Sequence, residues 1–326
     1  MAEHNLLEAV NLALRRAMQE DERVVVLGED VGVNGGVFRA TEGLLDAFGA
    51  KRVLDTPLAE TLIAGVSVGL AAQGMRPVAE IQFMGFIYPT LDQMINHASR
   101  LRTRTRGRLS CPMVLRAPYG GGVHAPEHHS ESTEALFAHV PGLRVVIPST
   151  PTDAYGLLLS AIRDPDPVVF LEPKRLYRLV KEEIVDDGTG AELDRCRVRR
   201  DGDDLTLVCW GAMMHETLEA AETLSERGIS AAVIDVATLK PLDAATILES
   251  VARTGRVVIV HEAALTGGFG AEVAARIAEE GLFDLRAPVA RVAGWDTVMP
   301  LPRLEKAYLP DTARILAAAE RVLSYD

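Results

Sequence analysis

Cysteine is scarce: Cys111, Cys196 and Cys209 are the only three in 326 residues. The count is odd, the spacings are wide and no CxxC pair occurs. Neither a disulfide framework nor a cysteine zinc site is expected, and the three read as reduced thiols of a cytoplasmic protein. Aromatic residues make up only 5% of the chain. No apolar run approaches the length that spans a bilayer. Glu3, Glu8 and Arg15 interrupt the stretch from Met1 to Glu20, which argues against a signal peptide there. Positive charge is also short, with a formal net charge of -12. Nucleic acid is therefore disfavoured, because phosphate binding needs a basic face. An acidic surface suits a basic protein partner instead. GxSxG and GxxxxGK(S/T) are both absent, so serine hydrolase and P-loop NTPase readings lose their main support.

What is present is an ordinary globular composition, 48% hydrophobic and 25% charged. The chain is too long for one typical core and fits two domains. Leu6, Val10, Leu14 and Ala17 recur at helical spacing. Short apolar runs at Val24–Leu27, Val53–Asp55, Pro77–Phe83, Met113–Ala117, Val145–Pro148 and Val168–Glu172 predict strands, with helices between them at Leu62–Gln73 and Pro89–Arg104. Patterning fades over 181–203, a polar linker with room for one edge strand. It resumes in strands at Leu205–Trp210, Ala232–Val236, Val257–His261 and Val289–Val292. Helices follow the same alternation at Glu216–Glu226, Ala244–Ala252, Ala271–Glu280 and Thr312–Leu323. Strands alternating with helices predict an α/β protein of two doubly wound domains, 1–180 and 204–326, with mostly parallel sheets.

Ligands of such sheets sit beyond the carboxyl ends of the strands, so polar residues there are the candidates. Glu29 and Asp30 follow the first apolar strand, and on residue type alone a solvated loop accounts for them better than a ligand site does. Glu60 falls near a helix N-terminus. It reads either as a helix-end charge worth about 0.3–1 kcal/mol, or as a partly buried carboxylate that shares a proton with a ligand nitrogen. Gln82 to Tyr88 is an aromatic cluster in which Phe86 could stack on a flat ring, although core filling is the commoner use. The segment Tyr119–Ser132 holds three of the eight histidines and the run Gly120-Gly121-Gly122. The glycines give a loop freedom to approach a ligand closely. Zinc is one reading of the histidines, but Pro126 opposes the continuous helix that an HxxxH site needs. Acid–base or substrate-binding work fits better. Gly268 and Gly270 before a helix mimic a dinucleotide turn without completing GxGxxG, so a tight turn or an anion site accounts for them better than NAD does.

Taken in order, Gly28-Glu29-Asp30-Val31, Asp55-Thr56-Pro57-Leu58-Ala59-Glu60, Glu80-Ile81-Gln82-Phe83, Leu91-Asp92-Gln93, His129-Ser130, Val145-Val146-Ile147-Pro148, Leu171-Glu172-Pro173-Lys174 and His261-Glu262-Ala263 resemble the β subunits of the decarboxylase component of 2-oxo acid dehydrogenases. The family includes the pyruvate and branched-chain enzymes. The stretches Glu80–Phe83 and Glu172–Tyr177 look closer to the branched-chain type than to the animal pyruvate type.

The resemblance implies a thiamine-diphosphate pyrimidine-binding domain followed by a transketolase C-terminal-like domain. It implies that Glu60 hydrogen-bonds the aminopyrimidine N1′ nitrogen and so promotes loss of the thiazolium proton. Phe86 would stack on the pyrimidine, with Glu29, Leu58 and Gln82 lining that pocket. His129, with His128 as a stand-in, would face substrate and the incoming lipoyl group. The GDG motif with a following Asn that holds the diphosphate through Mg²⁺ is not met by Asp186-Asp187-Gly188 or Asp201-Gly202-Asp203. In this family it belongs to the α subunit, so the resemblance implies an α2β2 heterotetramer with the cofactor between subunits. The second domain would serve β–β contact and docking of the lipoyl acyltransferase core. A structural K⁺ would rest on backbone carbonyls around Met113, Ala161, Asp164 and Asp166. A split transketolase-like carboligase subunit is the nearest alternative. The few basic residues C-terminal to the histidine loop disfavour a phosphorylated acceptor. A non-catalytic scaffold subunit is the alternative of another class.

Overall fold

The computed structural model describes residues 3–325. The chain forms two compact units, residues 1–119 with 136–193 and residues 120–135 with 194–326.

The first unit carries β1 (Glu3–Asn5), β2 (Val24–Gly28), β3 (Val53–Asp55), β4 (Arg76–Glu80), β5 (Val114–Tyr119), β6 (Arg144–Val146), β7 (Val168–Pro173) and β8 (Lys181–Glu183). Its main sheet has the order β6-β7-β5-β4-β2-β3, with every pair parallel. Every residue of β2, β5 and β7 is buried, as expected of parallel strands covered on both faces. The opening helix spans Leu6–Glu20 and buries Leu6, Val10, Leu14 and Ala17, the face its periodicity predicted. Its start is set by a capping box. Asn5 Oδ1 accepts from the Glu8 amide at 2.9 Å, and Glu8 Oε2 accepts from the Asn5 amide at 2.8 Å.

Two expected elements are cut short. The strand foreseen over Pro77–Phe83 ends at Glu80, and Met84–Phe86 forms a 3-10 turn. The helix foreseen over Pro89–Arg104 is broken. Helix Leu91–Asn96 stops at His97 (φ -122°, ψ -64°), and a second short helix runs over Leu101–Arg104. Packing explains the break. Gly142 presses so closely on the Ser99 carbonyl that a Cβ would lie 2.3 Å from it, which fixes the backbone path there.

The polar stretch 181–203 contains two edge strands. β8 pairs antiparallel with β1, and the residues after it lie along helix Pro151–Arg163. Asp186 Oδ1 accepts from Arg16 Nε at 2.8 Å and from the Tyr155 hydroxyl at 2.7 Å, and the Ala191 amide donates to the Gly156 carbonyl at 2.9 Å. The segment is thus anchored by polar bonds rather than by an apolar pattern.

The second unit holds β9 (Arg197–Arg200), β10 (Leu205–Cys209), β11 (Ala231–Asp235), β12 (Thr238–Lys240), β13 (Val257–Ala264) and β14 (Ala290–Gly294). Its sheet has the order β14-β13-β10-β11-β9. β9 is antiparallel at the edge and the other pairs are parallel. Helices Met213–Glu226, Ala244–Thr254, Gly270–Glu280 and Thr312–Leu323 pack on it. Asp243 and Asp311 cap two of them through side-chain oxygens. Both units are therefore α/β with mostly parallel sheets, as expected. Among the described residues no helix is long and apolar enough to cross a membrane.

Candidate functional site

In the first sheet the chain runs from β2 outward to β3, then returns to the other flank of β2 as β4. The strand order therefore reverses between β2 and β4. The crevice at the carboxyl ends of two such strands is where open α/β sheets bind ligands. The strands approach closely there. Gly28 pairs with Glu80, and a Cβ on Gly28 would lie 2.6 Å from the Glu80 carbonyl oxygen.

Glu29 and Asp30 leave β2 at this crevice, and Gln82 leaves β4. Gln82 Nε2 donates to Asp30 Oδ2 at 3.3 Å. Asp30 is left-handed (φ 57°), a conformation that Asp tolerates better than most residues. Asp55, at the end of β3, fixes the loop that follows. Its oxygens accept from the Gly32 amide at 2.6 Å and the Val33 amide at 3.1 Å. Glu60 is the first residue of helix Glu60–Ala72 and is half-buried. Burial, with the charges of Asp30 and Glu60 adding to it, holds the Glu29 carboxyl above the usual carboxylate range. Glu29, Asp30, Glu60 and Gln82 thus come together. The Glu29 carboxyl is thereby favoured to keep a proton, and a carboxyl in such a cluster can share a proton with a ring nitrogen. Leu58, 67% exposed, precedes the helix at the rim.

Phe86 is half-buried at the end of the 3-10 turn. It meets Phe83 edge-on (6.1 Å), Phe83 meets Phe38 (5.7 Å), and Phe38 meets Tyr177 (5.3 Å). Beneath this aromatic row lies a buried ionic network absent from the sequence reading. Arg116 donates to both oxygens of Glu172 (2.7 and 3.1 Å) and to Glu80 Oε2 (2.9 Å), while the Tyr177 hydroxyl donates to Glu172 Oε2 at 2.7 Å. Its members lie on three separate strands and a following turn, so no local spacing announces it.

Met113, Ala161, Asp164 and Asp166 gather near the C-terminus of helix Pro151–Arg163. The Met113 carbonyl accepts from the Val168 amide (3.0 Å), and the Ala161 carbonyl accepts from the Asp164 amide (3.3 Å). Arg76 Nη1 donates to the carbonyls of Ile162 and Asp164 (2.7 and 3.2 Å). The carboxylates pair with arginines, Asp164 with Arg144 and Asp166 with Arg102.

The histidine loop belongs to the second unit. Glu127–His129 is a 3-10 turn, and the His128 and His129 rings lie 4.0 Å apart. Among the described residues no three His, Cys, Asp or Glu side chains converge as a metal cluster. The loop glycines turn amides onto carboxylates of the same unit. The Gly121 amide donates to Glu262 and the Gly122 amide to Glu305. The second sheet also reverses order, between β10 and β13. That crevice is filled by Trp210 stacked on His261, with ring centroids 5.1 Å apart. Gly268 and Gly270 close on the same imidazole. A Cβ on either would lie within 2.7 Å of the ring, so these glycines serve packing.

Burial, with Arg291 adding to it, pulls the His261 imidazole down to about 4. Above the unfolded value near 6.5 the ring is neutral in both states. As pH falls below it, only the unfolded chain takes the proton, so stability drops until about pH 4. We expect a loss on the order of 3 kcal/mol across that window. His261→Phe should flatten this part of a pH–stability curve followed by chemical denaturation. An unchanged slope would refute the assignment.

Residues 3–180 match the family described as transketolase, pyrimidine binding domain, and residues 194–315 match transketolase, C-terminal domain. The fold is therefore transketolase-like. Among solved structures, a split gene transketolase, an inactive β4 tetramer, superposes with a TM-score of 0.82, at 27% identity over 99% of each chain. A transketolase mutant from Pichia stipitis matches the fold at TM-score 0.73 and 13% identity, over 100% of this chain and 46% of that one. Curated relatives are closer in sequence. The chain is 50% identical to pyruvate dehydrogenase E1 component subunit beta of Bacillus subtilis (strain 168), and 49% identical to 2-oxoisovalerate dehydrogenase subunit beta of the same organism. Each match covers 100% of both chains. The chain belongs to the family of β subunits of 2-oxo acid dehydrogenase E1 components. Identity at this level favours a dehydrogenase subunit over the split transketolase reading.

Proposed function

We propose that this chain is the β half of a thiamine-diphosphate-dependent 2-oxo acid dehydrogenase. With an α subunit it decarboxylates pyruvate or a branched-chain 2-oxo acid and passes the acyl group to lipoyl groups. The carrying observation is the meeting of Glu29, Asp30, Glu60 and Gln82 at the strand-order reversal, with the Glu29 carboxyl held toward its protonated form. That donor set fits an aminopyrimidine. Glu60 holds a proton at the ring nitrogen, Gln82 and Glu29 orient the ring edge, Phe86 offers a flat face, and Leu58 closes the rim. Thiamine diphosphate, when bound, supplies the electron sink for loss of carbon dioxide. His129 serves proton transfer to the lipoyl group, which calls for a group that titrates near neutrality.

The diphosphate and its Mg²⁺ belong to the α subunit in this reading. Asp186, the nearest approximation to a metal-binding aspartate, is engaged by Arg16 and Tyr155. An α2β2 assembly is supported by helix Glu60–Ala72. Leu62 and Val66 are exposed on it, and Gly69 faces open space, an apolar face of the kind that subunits cover. We assign the pyrimidine-binding role to a domain spanning 1–180, and β–β contact and docking of the acyltransferase core to a domain spanning 204–326, with 181–203 between them. The acidic surface suits a basic docking segment, and free thiols, of which Cys111 and Cys209 are buried, suit a cytoplasmic protein, with Cys111 pushed up to about 12 by burial. A K⁺ on the carbonyls of Met113, Ala161, Asp164 and Asp166 belongs to the same reading. The negative end of helix Pro151–Arg163 favours it, and it would share the Asp164 carbonyl with Arg76.

Calorimetric titration of thiamine diphosphate with Mg²⁺ tests the shared site. The expected result is tight binding only when the chain is mixed with an α candidate carrying the GDG motif. Equal binding by this chain alone would refute the placement of the diphosphate.

A further inference from the structure

The run Gly120-Gly121-Gly122 and the histidines after it would be costly to order by themselves, since glycine loses the most backbone freedom on folding. Gly120 (φ 78°), Gly122 (φ 85°) and His124 (φ 59°) are all left-handed, with Gly121 and Val123 between them. Such alternation turns successive amides inward into an anion-binding nest. Here the anions are carboxylates of the same chain. The Gly121 amide donates to Glu262 Oε1. Glu305 Oε1 accepts from the Gly122 amide at 2.7 Å, and Glu305 Oε2 accepts from the His124 amide at 3.2 Å and pairs with His124 Nδ1 at 2.9 Å. Both glutamates are buried, 3% and 2% exposed, while the His124 side chain is 61% exposed. Each is fixed by a regular element. Glu262 lies in β13, and Glu305 opens the short helix Glu305–Tyr308. Burial, with the Glu262 charge beside it, pushes the Tyr308 phenol up to about 12, so that neighbour stays a neutral phenol. The fit leaves no slack, because a Cβ on Gly120 would lie 2.8 Å from Glu262 Oε1.

We propose that Glu262 and Glu305 are positioning residues that clamp the glycine-rich stretch through its backbone amides, and so hold His129 in the place from which it serves lipoyl acylation. The clamp grips the loop upstream of Glu127–His129. From there local bonds carry the constraint forward, His129 N to the Pro126 carbonyl (3.0 Å) and Ser130 Oγ to the Ala125 carbonyl (3.3 Å). Neither carboxylate needs to touch substrate. The inference rests on the proposed role of His129, and its test separates the two.

Reconstituted α–β enzyme carrying Glu305→Gln, Glu262→Gln, His124→Ala or His129→Ala is assayed in two ways. One measures reductive acylation of a lipoyl domain. The other measures decarboxylation linked to an artificial dye acceptor, which bypasses the lipoyl group. Amide hydrogen exchange over 120–129 is followed alongside. The glutamine variants keep size but present an NH₂ to donors. Glu305→Gln and Glu262→Gln should each lower lipoyl acylation by about tenfold or more, the loss of one charge-assisted hydrogen bond, while the dye-linked rate stays within about twofold. Exchange of the loop amides should rise in both. His124→Ala removes only the exposed imidazole from Glu305, so it should show a smaller shift in the same direction and carries the test if a glutamine variant does not assemble. Equal loss of both rates, or unchanged loop exchange, overturns the clamp. If His129→Ala leaves lipoyl acylation intact while Glu305→Gln lowers it, the role given to His129 fails and the clamp stands.

Discussion

Glu60→Ala is expected to abolish 2-oxo acid turnover by the assembled enzyme, with a fall on the order of 10²–10⁴-fold, the usual contribution of a positioned acid–base group. The argument is geometric first. Glu60 opens helix Glu60–Ala72 at the crevice where the order of the first sheet reverses, beside Glu29, Asp30 and Gln82. Of the two readings its sequence position allows, the helix-end charge would cost alanine only about 0.3–1 kcal/mol of stability and leave chemistry alone. A proton-sharing role would leave stability nearly intact and remove the rate. The two are therefore separable in one variant. Turnover of the α–β mixture and thermal unfolding of the variant chain are measured together. A lost rate with a preserved melting temperature supports proton sharing. A preserved rate with a small loss of stability reduces Glu60 to a helix-end charge. Glu60→Gln should behave like the alanine variant, because an amide can hydrogen-bond the ring nitrogen but cannot supply or retain its proton.

The parts of this site that were legible in the sequence are those that sit directly on a strand end. Glu29, Asp30 and Gln82 each follow a short apolar run, so a parallel-sheet reading puts them at the carboxyl edge without any contact information. The order of the strands cannot be read that way. That β4 returns to the inner flank of β2 is what turns a set of rim residues into one crevice. Interactions between distant segments were illegible for the same reason. Glu80, Arg116 and Glu172 lie in strands that read as buried, and a charge in such a run looks like an interruption until its partner on the neighbouring strand is known. The glycine-rich loop is legible in part. Its composition announced freedom, and the structure uses that freedom to turn its amides onto Glu262 and Glu305. Glu262 at least followed a predicted strand. Glu305, 183 positions from Gly122, carried no signal at all. The helix broken at His97 fails for a related reason, since the close approach of Gly142 to Ser99 is tertiary and overrides a local apolar period.

Arg116→Leu is expected to destabilise the chain by about 3–5 kcal/mol, because it strands two buried carboxylates rather than merely removing a pair. Arg116 is 1% exposed, Glu172 1% and Glu80 6%. The guanidinium spends three nitrogens on the two carboxylates. Burial opposes its charge, but Glu172 and Glu80 outweigh burial and keep it firmly protonated. Two carboxylates face one cation, and the surplus is relieved at Glu80. Its carboxyl is pushed up by burial and further by Glu172, against the opposing pull of Arg116. Without Arg116 that opposition vanishes and the Glu80 carboxyl rises further above its unfolded value. The folded state then binds more protons than the unfolded one, so the defect is largest at high pH and shrinks as pH falls through the raised folded value. At neutral pH the melting temperature should fall by roughly 4–7 °C for a chain of this size, and Arg116→Leu combined with Glu172→Gln should recover part of it. A fall of under about 2 °C, or a defect that does not diminish on acidification, would contradict the assignment. The consequence reaches the site. Tyr177 donates to Glu172 and packs on Phe38, which meets Phe83, which meets Phe86. Loosening the network should therefore weaken thiamine diphosphate binding by the α–β mixture even where the variant remains folded, because the face offered to the pyrimidine is supported from this buried ionic base.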